Sequence, residues 1–190
     1  MSTSAISNPE PATPAPDLAP APLPRLSAAE IDVSCRVPLL LLFKSGLVWL
    51  LLGLALALLA SIKLHAPGLL ADSEWLTYGR VRPAAMNALL YGFATQTSIG
   101  VLLWMLCRLG GTRLPAPHLT LIAGMFWNLG VTIGVLAIFA SGSTGFEWLD
   151  MPGYVPPMLF VAYVLIGIAA LTAFHLRRER TLYVSQWYLV

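Results

Sequence analysis

Charged residues are scarce in this sequence. Only 11% of its 190 residues are Asp, Glu, Lys or Arg, whereas soluble domains contain about 25%. Hydrophobic residues make up 57%, and the mean hydropathy is +0.75. This composition excludes an ordinary soluble domain and indicates an integral membrane protein. The net charge of +2 is small and the arginines are scattered among apolar segments, which argues against a nucleic-acid partner.

Cysteine and histidine are scarce as well. The two cysteines, Cys35 and Cys107, have no metal-binding or redox spacing, and we interpret both as structural. The three histidines, His65, His118 and His175, share no helical spacing, which argues against a three-histidine metal site. No nucleophile and base form a recognisable pair, and no glycine-rich loop suits a phosphate. The residues alone therefore predict no catalytic centre.

The apolar residues are concentrated in four segments, each near the length of about 20 residues that crosses a bilayer. We predict an all-α integral membrane protein with four full transmembrane helices and the start of a fifth. The predicted spans lie at about 37–62, 84–106, 119–140 and 158–174, and the fifth begins at about 182.

The first 26 residues differ in composition from the rest of the chain. Residues 1–26 carry seven of the fifteen prolines, mixed with Ala, Ser and Thr, and this composition predicts a disordered tail. Residues 27–190 are expected to form the membrane domain. Ser27 and Glu30 have the spacing of a capping box, so we expect the first helix to begin there.

The distribution of Lys and Arg predicts a cytoplasmic N-terminus. In that orientation eight of the eleven basic residues lie on or near the cytoplasmic side. The other three, Lys63, Arg80 and Arg82, lie in one outer loop, where an anionic ligand would explain them. Lys44 falls inside the first span, and we interpret it as a snorkelling residue; a functional intramembrane lysine is the alternative.

Two groups of charged residues on the outer side suggest ligands. Arg80 and Arg82 precede Pro83, which we expect in the first turn of the second helix. Guanidinium groups there suit a carboxylate or phosphate, with lipid headgroups as the alternative partner. Glu147 and Asp150 lie in a glycine-containing loop, and such oxygen donors suit calcium. A solvated acidic loop is the alternative.

Four patches together resemble subunit I, the catalytic subunit, of C-family (cbb-type) haem–copper cytochrome c oxidases. The resemblance covers residues from about 30 to 190, the N-terminal third of that subunit. In order, the patches are YGRVRP at 78–83 with Asn87 and Ala88, FW at 126–127, GFEW at 145–148, and RRE at 177–179 with Tyr183, Val184 and Trp187. The family's fold is a bundle of twelve membrane helices. It holds a low-spin haem b, a high-spin haem and copper, reduces dioxygen and pumps protons.

The resemblance implies roles for individual residues. Arg80 and Arg82 would pair with haem propionates, and Asn87 would lie on the face of the low-spin haem pocket. Glu147 would lie at a calcium ion that bridges to a propionate. The family's axial histidine corresponds to Ala85 in this chain. Because a methyl group cannot ligate iron, we carry over no haem ligand.

The resemblance also implies a place and partners. It predicts a multi-pass protein of the bacterial plasma membrane, in contact with lipid, with c-type cytochrome oxidase subunits as partners and cytochrome c as electron donor. The copper ligands and the other haem ligands of the family lie on helices after position 190. We therefore expect a truncated, split or incomplete subunit that is inactive alone. The alternatives are a nitric oxide reductase-like large subunit, or a non-catalytic four-span scaffold or assembly protein.

Overall fold

The computed structural model describes residues 26–179 and 181–189, and all regular structure in those ranges is helical. Four helices are long and apolar enough to cross a membrane, as predicted. A short 3-10 turn at Glu74–Leu76 precedes the second helix. The helices are α1 Ala28–His65, α2 Tyr78–Gly110, α3 Pro117–Phe139, α4 Val155–His175 and the short α5 Val184–Leu189. The predicted disordered tail lies almost wholly outside the described residues.

The start of α1 is the predicted capping box. The Ser27 hydroxyl accepts a hydrogen bond from the Glu30 backbone N–H at 3.3 Å, and the Glu30 carboxylate accepts one from the Ser27 N–H at 2.9 Å. These two bonds satisfy amide groups that have no partner within the helix. The helix then continues for 38 residues, about 57 Å at the usual rise per residue, so it extends beyond the predicted span at both ends.

The second helix begins earlier than the sequence indicates. The carbonyl of Thr77 accepts hydrogen bonds from the N–H groups of Arg80 (3.0 Å) and Val81 (2.9 Å), and the helix starts at Tyr78. Pro83 therefore lies in the second turn, and its expected place in the first turn is wrong. A proline there removes one hydrogen bond near a helix end, which the helix tolerates. Both arginines consequently lie on a helix and not in a loop.

The middle of α2 widens into a π-helical segment, Ala88–Thr95, which the sequence analysis did not predict. Side chains bond to its carbonyl groups. The indole N–H of Trp127, on α3, donates to the Tyr91 carbonyl at 2.9 Å, and the Thr97 hydroxyl donates to the Phe93 carbonyl at 2.8 Å. Such segments are rare and are frequently found at functional sites.

A polar cluster joins α1, α2 and α3 at the centre of the unit. The Asn128 side-chain amide donates to the Ser45 hydroxyl (3.2 Å) and to the Gln96 carbonyl oxygen (2.9 Å). Its own oxygen accepts from the Trp49 indole (3.0 Å) and the Gln96 amide (3.1 Å). Gln96 is completely buried. In an apolar environment such paired polar groups hold helices in one arrangement.

Buried cysteines and ion pairs lie at the end of the unit where α1 begins. Cys35 of α1 and Cys107 of α2 are free and fully buried, and both belong to the same hydrophobic core. Arg113 contacts Glu30 at 3.1 Å across the same end. The cysteines thus fill the packed interface between α1 and α2, in agreement with a structural role.

Candidate functional site

A cleft of about 390 Å³ opens between the first turns of α2 and the loop that joins α3 to α4. It brings together Arg82 and Glu147, two of the residues that the sequence singles out. The lining from α2 is Tyr78, Gly79, Arg82, Pro83 and Met86, and the lining from the loop is Ser143, Gly145, Glu147, Trp148 and Asp150. The cleft therefore combines one guanidinium group, two carboxylates and a thioether at one end of the helices.

The loop that lines one side of the cleft forms a turn whose ends are hydrogen-bonded to each other. The Thr144 N–H donates to the Asp150 carbonyl at 3.1 Å, which holds the two ends of the turn together. Inside the turn, Gly145 and Trp148 have φ angles of 74° and 73°, in the left-handed region that glycine adopts readily and a bulky residue rarely does. The turn places the Glu147 side chain in the cleft, facing the first turns of α2.

Arg82 and Glu147 form an exposed ion pair across the cleft. The guanidinium Nη2 lies 3.5 Å from the carboxylate Oε1, and the side chains are 54% and 70% exposed. At that exposure an ion pair contributes about 0–1 kcal/mol. The pair is therefore weak enough to open, and both groups remain available to a ligand of opposite charge.

The Arg80 side chain points away from the cleft that Arg82 lines, since residues two apart on a helix do not share a face. Its guanidinium donates to the Phe139 carbonyl at 3.0 Å, at the last residue of α3. The last carbonyl groups of a helix have no partner within the helix and carry partial negative charge. Arg80 thus fastens the end of α3 to α2, and it is absent from the cleft lining.

Asn87 connects α2 to the loop. This side chain is fully buried, and its amide donates to the Asp150 carboxylate at 2.8 Å and to the Pro83 carbonyl at 2.9 Å. Its oxygen has no hydrogen-bond partner among the described residues. The bond to Asp150 was not predicted from the sequence, where the available signal was the position of Asp150, three residues after Glu147 in the same acidic loop.

The described residues do not fit axial ligation of a haem. Ala85, at the position of the family's histidine, is only 1% exposed, so its methyl group is covered by packed protein. His65, His118 and His175 are exposed and lie at helix ends. None of them lines the cleft at the start of α2, and we assign no iron ligand to this part of the chain.

Side chains of His, Cys, Asp and Glu do not by themselves form a metal site in the described ranges, since no group of three or more of them there could hold an ion. Glu147 offers a carboxylate in the cleft, while one Asp150 oxygen already accepts from Asn87. A calcium ion at Glu147 would therefore need further oxygen donors, such as backbone carbonyl groups or water.

Four apolar helices that are long enough to cross a membrane, with an ionic cleft at one end, define a multi-pass integral membrane protein. Residues 37–190 match the family described as cytochrome c and quinol oxidase polypeptide I. Because the match covers most of the sequence, the chain belongs to that family. The resemblance to subunit I is thereby confirmed.

Individual relatives agree with the family match. Over 141 residues the chain is 21% identical to the Cbb3-type cytochrome c oxidase subunit CcoN1 of Stutzerimonas stutzeri, and the aligned region covers 74% of this chain and 30% of that protein. Over 143 residues it is 24% identical to cytochrome c oxidase subunit 1 of Rhodobacter capsulatus, and this alignment covers 74% of this chain and 27% of that protein. The matched region thus spans less than a third of the length of either relative.

Proposed function

We propose that the chain forms the N-terminal membrane segment of the catalytic subunit of a terminal cytochrome c oxidase. The complex would pass electrons from cytochrome c to dioxygen and couple this transfer to proton translocation. It would lie in a bacterial plasma membrane with the N-terminus cytoplasmic, beside subunits that carry c-type cytochromes. The observation that carries the proposal is the family match together with the outer cleft, where Arg82 faces Glu147.

The cleft residues have distinct proposed roles. Arg82 is exposed beside a cleft, and its fork of donors suits a carboxylate. We assign it to a haem propionate held by the rest of the complex. Glu147 would contribute one oxygen ligand to a calcium ion. Arg80 and Asn87 would position the cleft, because they fix α2 to the end of α3 and to the loop.

A non-catalytic scaffold is the second candidate, and one observation favours it. Ala85 is covered by protein at the position where the family has its histidine. A chain with this interior can pack against oxidase subunits, or assist their assembly, without holding iron. This candidate predicts a complex that contains the chain but no stoichiometric haem b.

A matched pair of arginine variants tests the proposed role of Arg82. Arg82→Gln and Arg113→Gln each remove an exposed arginine that contacts a glutamate, at opposite ends of the unit. The complex is purified from native membranes through a tag on the chain, and haem b is titrated with redox mediators. A positive charge near a propionate stabilises the reduced haem, so Arg82→Gln should lower the midpoint potential by tens of millivolts.

The control variant, Arg113→Gln, should leave the midpoint potential of haem b unchanged. An unchanged potential and haem content in Arg82→Gln would contradict the propionate role. A complex that reproducibly lacks haem b before any substitution would support the scaffold.

A further inference from the structure

One face of α1 is lined by exposed large side chains at spacings of three or four residues. We call these nine residues the α1 stripe. They are Val33, Val37, Leu40, Lys44, Leu47, Leu51, Leu54, Leu58 and Ile62. This spacing is typical of a seam between two helices that pack with a left-handed crossing. The stripe faces away from the buried side of α1, which includes Leu42, Gly46 and Trp49.

Lys44 lies in the stripe at the middle depth of the unit. The neighbouring Ser45 is hydrogen-bonded to Gln96 at 2.8 Å and to Asn128 at 3.2 Å. Asn128 is the central residue of α3, eleven residues from each end, which is about 16 Å along a helix. A lysine stem extends on the order of 6 Å. The ammonium group therefore stays well inside the apolar layer, which does not favour snorkelling.

The described chain offers no partner for this charge. Lys44 makes no hydrogen bond or ion pair with residues 26–179 or 181–188. The nearest carboxylates along α1, Glu30 and Asp32, are in its first turns and contact Arg113 and Arg108. A charged side chain at mid-depth is costly in lipid and is normally paired or faces protein.

We propose that the α1 stripe binds a transmembrane helix of a partner subunit, and that this helix carries a carboxylate opposite Lys44. Aliphatic side chains on both sides of Lys44 would pack in the seam, and the carboxylate would pair with the ammonium group in a water-poor environment. This proposal depends only on α1 crossing the membrane and is independent of any role in haem binding.

Other occupants fit the stripe less well. A second copy of the chain packed in parallel would bring two Lys44 ammonium groups together, which is repulsive. An anionic lipid presents its phosphate at the membrane surface, whereas Lys44 lies beside the centre of α3. A later segment of the same chain would give a cross-link within one polypeptide, which distinguishes it from a partner subunit.

Site-specific photo-cross-linking tests the proposal in the full chain, in its native membranes. A photoreactive residue replaces Leu47, which is 55% exposed in the stripe. The matched control replaces Leu129 of α3, which is 49% exposed, follows Asn128 at the level of Ser45 and therefore lies close to the same depth on another helix. The adduct from position 47 should map to a transmembrane segment of another polypeptide, with an Asp or Glu within one turn of the linked residue. The control should not link to that segment.

Charge variants then test the ion pair. Lys44→Gln should reduce the yield of the position 47 adduct about tenfold, since it leaves the partner carboxylate unpaired in the membrane. Lys44→Arg should retain the yield. Lys44→Glu should abolish it, and replacing the mapped carboxylate with lysine should restore it.

Several results would overturn the proposal. These are adducts with lipid alone, with the same chain or a second copy of it, or with a helix that lacks an acidic residue. Retention of the full adduct yield in Lys44→Gln would overturn it as well. Because Lys44 has no partner in the described fold, these variants are not expected to disturb folding.

Discussion

Replacing Asn128 with leucine should destabilise the packing of α1, α2 and α3. The Asn128 side chain makes four hydrogen bonds to the other two helices, through Ser45, Trp49 and Gln96. Leucine has a similar volume and keeps the apolar packing of α3. The variant therefore isolates the contribution of the polar cluster from that of side-chain volume.

The expected loss can be worked out from those bonds. Hydrogen bonds between membrane helices average about 0.6 kcal/mol each, so the loss of four lowers the free energy of unfolding by about 2 kcal/mol. The Trp49 indole would also be left without a partner, whereas Gln96 keeps its bonds to Ser45 and to the Gly92 carbonyl. An unpaired buried polar group costs about 1–3 kcal/mol, so we expect a total loss of about 3–5 kcal/mol.

Unfolding of the purified chain in mixed detergent micelles measures this difference. Thr132→Val is the control, because its hydroxyl bonds only to the Asn128 backbone carbonyl, within α3 and on an exposed surface. That variant should stay within about 0.5 kcal/mol of the wild type. A similarly small effect of Asn128→Leu would refute the reasoning that the polar cluster holds the three helices together.

Two further predictions concern packing and capping. Gly92→Ala should destabilise the chain by about 1–3 kcal/mol, because the added methyl group would lie 2.5 Å from the Trp49 ring; Gly167→Ala, with no atom within 4 Å, should have no such effect in the same unfolding assay. Ser27→Ala should cost about 1 kcal/mol and should speed hydrogen exchange in the first turn of α1, where Ser27 and Glu30 cap each other; unchanged exchange there would contradict the capping role.

The positions of the long helices could be predicted because membrane insertion depends on a sum over many side chains. Such a sum tolerates errors of a few residues, and the capping box at Ser27 placed the start of α1 directly. The start of α2 could not be obtained in this way. It depends on backbone bonds to the Thr77 carbonyl, whereas Pro83 taken alone favours a later start. The π segment was missed because its carbonyl at Tyr91 is satisfied by Trp127 from another helix.

The candidate site was predictable only in part. The order of the four spans correctly indicated that the loop containing Glu147 lies at the same end of the helices as Arg82, and the structure places their charged groups 3.5 Å apart. The divergence of Arg80 from Arg82 follows from their helical spacing, which became clear only once α2 was known to begin at Tyr78. The bond between Asn87 and Asp150 joins residues 63 positions apart, and no local pattern encodes such a contact.

The most direct test of the account is the haem content of the native complex isolated through this chain. The ratio of haem b to chain is measured together with oxygen consumption by reduced cytochrome c. If the chain is a segment of an oxidase catalytic subunit, haem b should be present in a fixed ratio, and oxygen should be consumed. A complex that contains the intact chain, lacks haem b and consumes no oxygen would contradict the oxidase assignment and identify the four helices as a scaffold.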